Sequence, residues 1–307
     1  MSKINFHIPV LLQETLEILD PQSGKTFIDA TLGHAGHTIE FLKRGVFVYG
    51  IDADSKNLKI ATSRIKKLGL SKNFTPIKNN FSNLEKIYKS KIKNKRQRSH
   101  PQGDIDAIFF DLGLSSNQQK SKNRGFSFDD DQSLDMRLNP KTQTITAEHI
   151  INTYHFDQLY QIFTKIAQEK YSKILIKKII DARKKSPIKT GLQLSQIILD
   201  HYKKKNLYSK IHPATKIFMT LRIVVNQEFE NLDSTLKQTI KILKTNAKVL
   251  VISFHSGEDR IVKQFIKKHS LLGKITKLTK KSIQATKKEI RDNPLSRSAK
   301  LRAFKIN

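Results

Sequence analysis

Apolar runs that end in an acidic residue alternate with helical patterns in the first third of the chain. The runs TFID (26–29), VFVYGID (46–52) and AIFFD (107–111) suit strands that are buried on both faces. The segments HTIEFLKRG (37–45) and SKNLKIATSRIKKLGL (55–70) have the apolar spacing of helices. Because strands that alternate with helices pair in parallel through right-handed crossovers, we predict an open, doubly wound α/β sheet.

A helical block interrupts this alternation. From Thr146 to about Lys205, apolar residues recur at helical spacing and no strand pattern occurs. Strand-like sequence returns with KVLVIS (248–253), after a further amphipathic helix. A strand–helix unit that resumes after a helical block indicates that the helices are inserted into one sheet domain. We expect the sheet domain to comprise residues 1–117 and 216–307, and the helical insertion residues 118–215.

The first apolar run leads into DATLGHAGH (29–37), which has the form of a turn between a strand and a helix. It lacks both the Gly-x-Gly-x-x-Gly order of dinucleotide sites and the Gly-Lys-Ser/Thr of a P-loop, which disfavours a bound pyrophosphate. Asp52 ends the second run 19 residues after Gly33, near the spacing of ribose-binding acids. S-adenosylmethionine, an adenosine without phosphate, meets both conditions. An ordinary turn without a ligand is the alternative.

The charge balance favours a polyanionic partner. The 307 residues include 57 Lys and Arg against 27 Asp and Glu, a net charge of +30. Lysines and arginines near phosphates release condensed counterions, so nucleic acid is the expected partner. The alternative is a compositional bias toward lysine that only raises the surface charge. The basic segment 88–104 is either a solvated loop or an RNA-contacting arm.

Several classes of site are disfavoured by what the sequence lacks. Without cysteine there is no disulfide and no thiolate metal site, and His34, His37 and His255 lack metal-ligand spacing, so we expect no metal. The sequence has no signal-peptide pattern and no apolar run long enough for a membrane span. We expect a cytoplasmic protein that does not bind a membrane, and a homodimer stays open.

Longer motifs follow in a fixed order. They are DLGLSSNQ (111–118), RGFSF (124–128), LDMRL (134–138), HPATKIFMTLRIVVNQE (212–228), ISFHSGEDRIVK (252–263) and NPLSRSAKLR (293–302). With DATLGHAGH ahead of them, the chain resembles the bacterial 16S ribosomal RNA (cytosine-N4) methyltransferase family, also called RsmH or MraW. The likeness extends from about residue 6 to residue 302.

The resemblance implies a class I, Rossmann-like methyltransferase domain interrupted by a helical substrate-recognition domain. It implies S-adenosylmethionine-dependent methylation of N4 of a cytidine in the decoding region of 16S ribosomal RNA, within the small subunit. Together with the turn pattern, it gives the cofactor residues Gly33, Ala35, Gly36, His37, Asp52, Phe81, Asp111 and Gln118.

The chain departs from the family pattern at several positions. Ala35 replaces the middle glycine of the turn, which is harmless at negative φ but costs about 1 kcal/mol or more in the left-handed region. Asn117 stands where proline is usual, and Gly257 where leucine is common. AQEKY (167–171) replaces a Gly-Glu-Glu-Arg/Lys-Phe pattern.

The candidate catalytic residues are polar groups at strand ends. Asp111 could accept a hydrogen bond from the cytosine amine, or could contact only the cofactor. Ser253 and His255, with Asp259, could shape the base pocket or relay a proton; alternatively Asp259 caps the next helix. Asn226 could face the same cleft, or could be a polar residue on a helix surface.

For RNA binding we single out Arg124, Phe126, Phe128 and Arg137, of which the aromatic pair could stack on an extruded base. Packing in the core or anchoring a loop is the alternative for both rings. We expect residues 277–302 to form a basic, partly mobile segment. Three rival functions are a non-enzymatic RNA-binding ribosome-assembly factor, a DNA methyltransferase and, disfavoured by the missing third glycine, an NAD-dependent oxidoreductase.

Overall fold

The computed structural model describes residues 8–93, 104–113, 123–207 and 211–307, and it divides into two compact units. The sheet unit comprises Met1–Ser115 and Phe229–Asn307, and the helical unit comprises Ser116–Glu228. The return to the sheet unit comes after residue 228, later than the expected position at 216. The reason is that the helix Thr215–Asn226 packs against helices of the helical unit.

The described residues of the sheet unit form seven strands in the order β3-β2-β1-β4-β5-β7-β6. They are β1 (Thr26–Asp29), β2 (Phe47–Asp52), β3 (Phe74–Lys78), β4 (Ala107–Asp111), β5 (Lys248–Ser253), β6 (Ile275–Lys277) and β7 (Lys300–Ile306). Strands β1 to β5 pair in parallel, and β7 is antiparallel to β5 and β6. The helices of this unit are α1 (Leu12–Leu19), α2 (Gly36–Leu42), α3 (Ser55–Lys67), α4 (Leu84–Ile87), α10 (Glu228–Ile242), α11 (Ser256–Leu271) and α12 (Lys287–Asp292).

Both faces of the sheet are covered, as the apolar runs predicted. Phe27 and Phe109 belong to one buried cluster, and Ile28 and Phe110 belong to another. Neighbouring residues of a strand point to opposite faces, so a strand covered on both sides must be apolar throughout. The predicted doubly wound α/β sheet is therefore confirmed.

The carboxyl-terminal segment contains regular structure. Residues 277–302, predicted as a basic and partly mobile segment, include the end of β6, helix α12 and the start of β7. Strand β7 lies between β5 and β6, and its residues Leu301, Ala303, Phe304 and Ile306 are buried. The lysines and the arginine between them occupy the less buried positions. Charged and buried residues therefore alternate along β7, and the charged residues make its apolar face hard to recognise in the sequence.

The helical unit has a hydrophobic core of its own. Its helices are α5 (Ala147–Thr153), α6 (Phe156–Lys165), α7 (Ser172–Lys185), α8 (Gly191–Lys204) and α9 (Thr215–Asn226). The buried cluster of this unit includes Leu159, Phe163, Leu175, Leu194 and Leu221, and all its members lie between residues 134 and 225. In the parts of the chain that the structure describes, no helix combines the length and apolar character needed to span a membrane.

Candidate functional site

Three acidic side chains lie at the carboxyl edge of the parallel strands. Asp29 ends β1 and is in register with Gly50 of β2 and Phe109 of β4, so Asp52 and Asp111 lie two residues further along their strands. Ligands of open α/β sheets bind outside this edge. The register therefore brings together the two acids that sequence analysis singled out, and it adds Asp29.

The carboxylate of Asp52 accepts hydrogen bonds from three groups. Its Oδ2 accepts from the backbone N–H of Gly33 at 2.9 Å and from Asn57 Nδ2 at 3.1 Å, and its Oδ1 accepts from the N–H of Asp54 at 2.7 Å. Burial raises the pKa of Asp52 to about 7, although these hydrogen bonds oppose the shift. Asn57 was not predicted. It fixes the orientation of the proposed ribose-binding carboxyl group.

The turn between β1 and α2 contains strained and closely packed backbone. Ala35 precedes α2 with a φ of 63°, in the left-handed region. Its methyl group is therefore at a position where a Cβ strains the backbone. Gly33 has a φ of 51°. At Gly36, an added Cβ would lie 2.9 Å from Pro9 Cγ, so packing within the protein is one reason for that glycine. The turn is also fastened by Arg64, which donates to the His34 carbonyl oxygen.

The side chain of Asp29 links β1 to α2, and Asp29 was missed in the sequence. Its carboxylate accepts from Thr38 Oγ1 at 2.6 Å and from the N–H of Thr31 at 3.1 Å. Thr31 Oγ1 in turn accepts from the N–H of Asp111 at 2.6 Å. Burial raises the pKa of Asp29 to about 6. The signal that could have found it is the acid at the end of the first apolar run.

Asp111 is a buried carboxyl group beside a histidine. Its Oδ2 lies 3.6 Å from His37 Nδ1, and His37 Nε2 lies 3.0 Å from the Val10 carbonyl oxygen. A neutral His37 that donates to Val10 leaves Nδ1 as an acceptor facing the carboxylate. Burial raises the pKa of Asp111 to about 8, and the charges of Asp29 and Glu258 add to the effect.

The hydrogen-bond acceptors at this edge fit a cationic ligand that carries N–H or O–H donors. Within the described residues, the buried Oδ1 of Asp111 has no hydrogen-bond partner. The other oxygen, Oδ2, lies 3.6 Å from His37 Nδ1, and a carboxylate beside further carboxylates is stabilised by a positive charge. The adenosyl sulfonium has a cationic centre, an amino group and two ribose hydroxyls, so these residues suit it.

Two further cofactor residues have different outcomes. Phe81 begins a short 3-10 turn after β3, and its ring lies edge-on to that of Phe110, with the ring centroids 5.9 Å apart. This contact places Phe81 against the core of the sheet unit, and its role near adenine stays a prediction. Gln118 lies outside the described residues.

The motif ISFHSGEDRIVK forms the end of β5 and the first turns of α11. His255 caps α11: its Nδ1 accepts from the N–H of Glu258 at 3.4 Å, and Glu258 Oε2 accepts from the N–H of Phe254 at 2.9 Å. The alternative that Asp259 is the cap is wrong, because Asp259 accepts from Arg302 Nε at 2.7 Å instead. Ser253 Oγ donates to the Lys300 carbonyl oxygen at 3.2 Å. Catalytic roles for Ser253 and His255 stay predictions.

Asn226 is buried within the helical unit. Its Nδ2 donates to the carbonyl oxygens of Met136 and Arg222 at 2.9 and 2.8 Å, and its Oδ1 accepts from the N–H of Leu138 at 2.9 Å. Gln143 Nε2 also donates to this oxygen at 2.9 Å. These contacts join the end of α9 to the loop that contains LDMRL, and a catalytic role for Asn226 stays a prediction.

The residues proposed to bind RNA anchor the same loop. Arg124 donates to the Arg137 carbonyl oxygen at 3.0 Å, and Arg137 makes two 2.7 Å hydrogen bonds to Asp135. The Phe128 ring stacks on His212 with the centroids 4.3 Å apart, and the Arg124 guanidinium lies 5.2 Å from the Phe126 ring centroid. These contacts fit the loop-anchoring alternative, and RNA binding by the four residues stays a prediction.

Comparison with known proteins places the chain among relatives of the same length. A family profile described as the MraW methylase family matches residues 4–307. Ribosomal RNA small subunit methyltransferase H from Sulfurihydrogenibium sp. is 39% identical over 299 residues, which cover 96% of this chain and 97% of the relative. The protein of the same name from Carboxydothermus hydrogenoformans is 36% identical over 314 residues, with 97% and 96% covered.

Proposed function

The chain belongs to the MraW methylase family, and from this we infer that it methylates RNA of the small ribosomal subunit with S-adenosylmethionine. We propose that the acceptor is N4 of a cytidine in the decoding region of 16S ribosomal RNA, as the sequence motifs imply, within the assembled small subunit. The observation that carries the proposal is the buried Asp111 carboxyl group, with one oxygen free of hydrogen bonds within the described residues, at the carboxyl edge of β4.

Different residues at the sheet edge bind different groups of the cofactor in this proposal. In our proposal Asp52 accepts hydrogen bonds from two ribose hydroxyls, and its contacts with Gly33 and Asn57 support this role because they fix the carboxyl group. Asp111 and His37 offer acceptors to an amino group, and Asp29 adds negative charge nearby. When bound, S-adenosylmethionine supplies an electrophilic methyl group on a positively charged sulfur.

The acceptor nitrogen needs help from a base. The lone pair of cytosine N4 is delocalised into the ring, and methylation leaves a proton that the nitrogen must lose. Asp111 accepts a hydrogen bond from the amine in our proposal, which favours rehybridisation, and then takes the proton. Only the deprotonated carboxylate can take this proton, and a pKa of about 8 makes that carboxylate a stronger base than an ordinary one, so the rate should rise with pH up to about 8.

The test is methyl transfer to isolated small subunits from cells that lack this enzyme, with mass spectrometry of the ribosomal RNA nucleosides. We expect N4-methylcytidine with the wild-type protein. We expect the Asp111→Asn variant to lose roughly 100-fold or more in rate, the usual contribution of a positioned base. The Asp233→Asn variant, altered at an exposed helix residue, is the matched control and should keep full activity.

The same materials test the second candidate, a ribosome-assembly factor that binds RNA without catalysis. The left-handed Ala35 in the cofactor turn favours this candidate. Calorimetric titration with S-adenosylmethionine separates the two, because an assembly factor needs no cofactor. Binding that is weakened in Asp52→Asn supports the methyltransferase, whereas no heat of binding to the wild-type protein would support the assembly factor.

A further inference from the structure

Two aromatic side chains stack on the surface of the helical unit, one turn apart on α6. The rings of Phe156 and Tyr160 have centroids 6.0 Å apart and planes inclined by 12°. Phe156 occupies the first position of α6 and is 38% exposed. A nearly parallel ring pair with an exposed member offers a flat surface on which a further planar group can stack.

Lysines of α7 lie beside this ring pair. Lys173 Nζ is 5.6 Å from the centroid of the Tyr160 ring. Near the other end of α7, Arg183 donates to the carbonyl oxygens of Ile151 and Tyr154, which precede α6, at 2.6 and 2.8 Å. Helices α6 and α7 are therefore antiparallel. In antiparallel helices, one turn forward on α7 corresponds to one turn back on α6, so by register the exposed Lys177 matches Phe156 as Lys173 matches Tyr160.

The charge of these helices is strongly one-sided. Helix α7 has six lysines and arginines and one acid, Asp181, and α6 has one acid, Asp157. Lys173 and Lys177 are exposed, and so is Ile174 between them, at 48%. An exposed ring flanked by exposed ammonium groups combines the two features that bind single-stranded nucleic acids: a stacking face for a base, and cations for the phosphates.

We propose that Phe156, Tyr160, Lys173 and Lys177 form a stacking platform that binds an unpaired stretch of RNA. A base stacks on Phe156, and the adjacent phosphates contact the two lysines. The RNA must be single-stranded, because the bases of an A-form helix are covered by their neighbours. The inference rests on the proposed function for the identity of the RNA, and it assigns a contact that is separate from the acids at the sheet edge.

The chain has no tryptophan, which allows a direct test of stacking. In the Phe156→Trp variant the single indole reports on a stacked base through quenching of its fluorescence. We expect saturable quenching by a single-stranded RNA oligonucleotide at low salt. The matched control is Ile145→Trp, because Ile145 belongs to the same unit and is similarly exposed, at 43%. Its fluorescence should not change.

Polyglutamate separates base stacking from attraction to an acidic protein. We expect it to leave the fluorescence of the Phe156→Trp variant unchanged, because it has negative charge but no bases. Equal quenching by polyglutamate and by RNA would overturn the proposal in favour of an acidic polypeptide partner. The absence of quenching by RNA, or equal quenching in the Ile145→Trp control, would overturn it as well.

Affinity measurements on variants without tryptophan provide the second readout. Phe156→Leu keeps an apolar side chain but lacks a ring, and we expect RNA affinity to fall roughly 5- to 100-fold. Phe156→Tyr should bind like the wild type. Lys173→Gln should lower the slope of log affinity against log salt by about 0.7, the value for one phosphate contact in single-stranded nucleic acid. An unchanged affinity in Phe156→Leu would contradict stacking.

A methyl-transfer assay of the wild-type protein tests the proposed function separately from the stacking platform. RNA-dependent quenching without methylation of the small subunit would support the platform and contradict the proposed reaction. Methylation without any quenching in the Phe156→Trp variant would support the reaction and contradict the platform.

Discussion

The carboxyl group of Asp111 destabilises the ligand-free fold. The unfolded chain loses this proton near pH 3.8, whereas the folded protein keeps it up to about pH 8. Folding therefore requires proton uptake between these values, and the contribution of Asp111 to stability becomes less favourable as the pH rises through that range. In our proposal Asp111 binds the cofactor and accepts a proton, and such a role would explain why a group with this cost to stability is kept.

We predict that Asp111→Asn stabilises the ligand-free protein at pH 8, by about 1 kcal/mol or more, since each pKa unit corresponds to roughly 1.4 kcal/mol. The amide cannot ionise, so the gain should shrink toward pH 4. Thermal unfolding of both proteins between pH 4 and pH 8.5 measures this difference. A difference that is independent of pH would mean that Asp111 titrates normally.

The charge of Asp29 is predicted to set the pH dependence of catalysis. Because this charge raises the pKa of Asp111, the Asp29→Asn variant should show the rise of kcat at a lower pH than the wild type. Thr38→Val is the matched control, because it removes the 2.6 Å hydrogen bond to Asp29 but keeps the ionisable carboxyl group. The pH midpoint of its kcat should shift less than that of Asp29→Asn, because the carboxyl group can still ionise; an equal shift in both variants would contradict the electrostatic explanation.

Two of the three acids that end buried strands were predicted from sequence, whereas Asp29 and the residues that hold these acids were not. Asp52 and Asp111 end apolar runs at the edge where ligands bind, so pattern alone selects them. Thr31 reaches Asp111 across 80 residues of sequence, and that contact exists only through the register of β1 and β4. The left-handed φ of Ala35 likewise depends on how the turn is closed.

At the scale of elements, the packing of α10 on α11 explains an unusual glycine. A Cβ added to Gly257 would clash with Phe229 Cζ, so the phenyl ring occupies the space that a larger side chain would need. Gly257→Leu introduces the residue expected from the family pattern. We predict a loss of about 1–3 kcal/mol in the free energy of unfolding, the usual result of overpacking.

Removal of the ring should relieve this clash. In the double variant Phe229→Ala/Gly257→Leu, we expect the loss caused by leucine to be smaller than in the wild-type background. Urea unfolding of the two single variants and the double variant gives the coupling energy. Additive effects would show that Phe229 can move aside without cost.

Strands with continuous apolar sequence were predictable, and short or charged strands were not. The patterns of β1, β2, β4 and β5 follow from burial on both faces of the sheet. Strand β7 contains Lys300, Arg302 and Lys305 in alternation with buried residues, and its place between β5 and β6 is fixed only by antiparallel pairing. Strand β6 has three residues and one buried side chain, too few for any periodicity.

At the scale of the whole molecule, the two units have separate hydrophobic cores. The buried cluster of the helical unit contains only residues from 134 to 225, and the two clusters of the sheet unit contain none of these. The helical unit is continuous in sequence, whereas the sheet unit is formed from two segments. A continuous segment of roughly 100 residues with its own core is large enough to fold alone.

We therefore predict that a fragment comprising residues 116–228 folds independently. Its circular dichroism should show a helical protein, and its thermal unfolding should be a single cooperative transition, because its core and the hydrogen bonds of Asn226 are internal. Phe163→Ala is the control: the ring is fully buried, and its loss should cost about 3–5 kcal/mol, enough to abolish the transition or to lower its midpoint strongly. A fragment that is helical but melts gradually, with no effect of Phe163→Ala, would mean that the helical core is completed only by the rest of the chain.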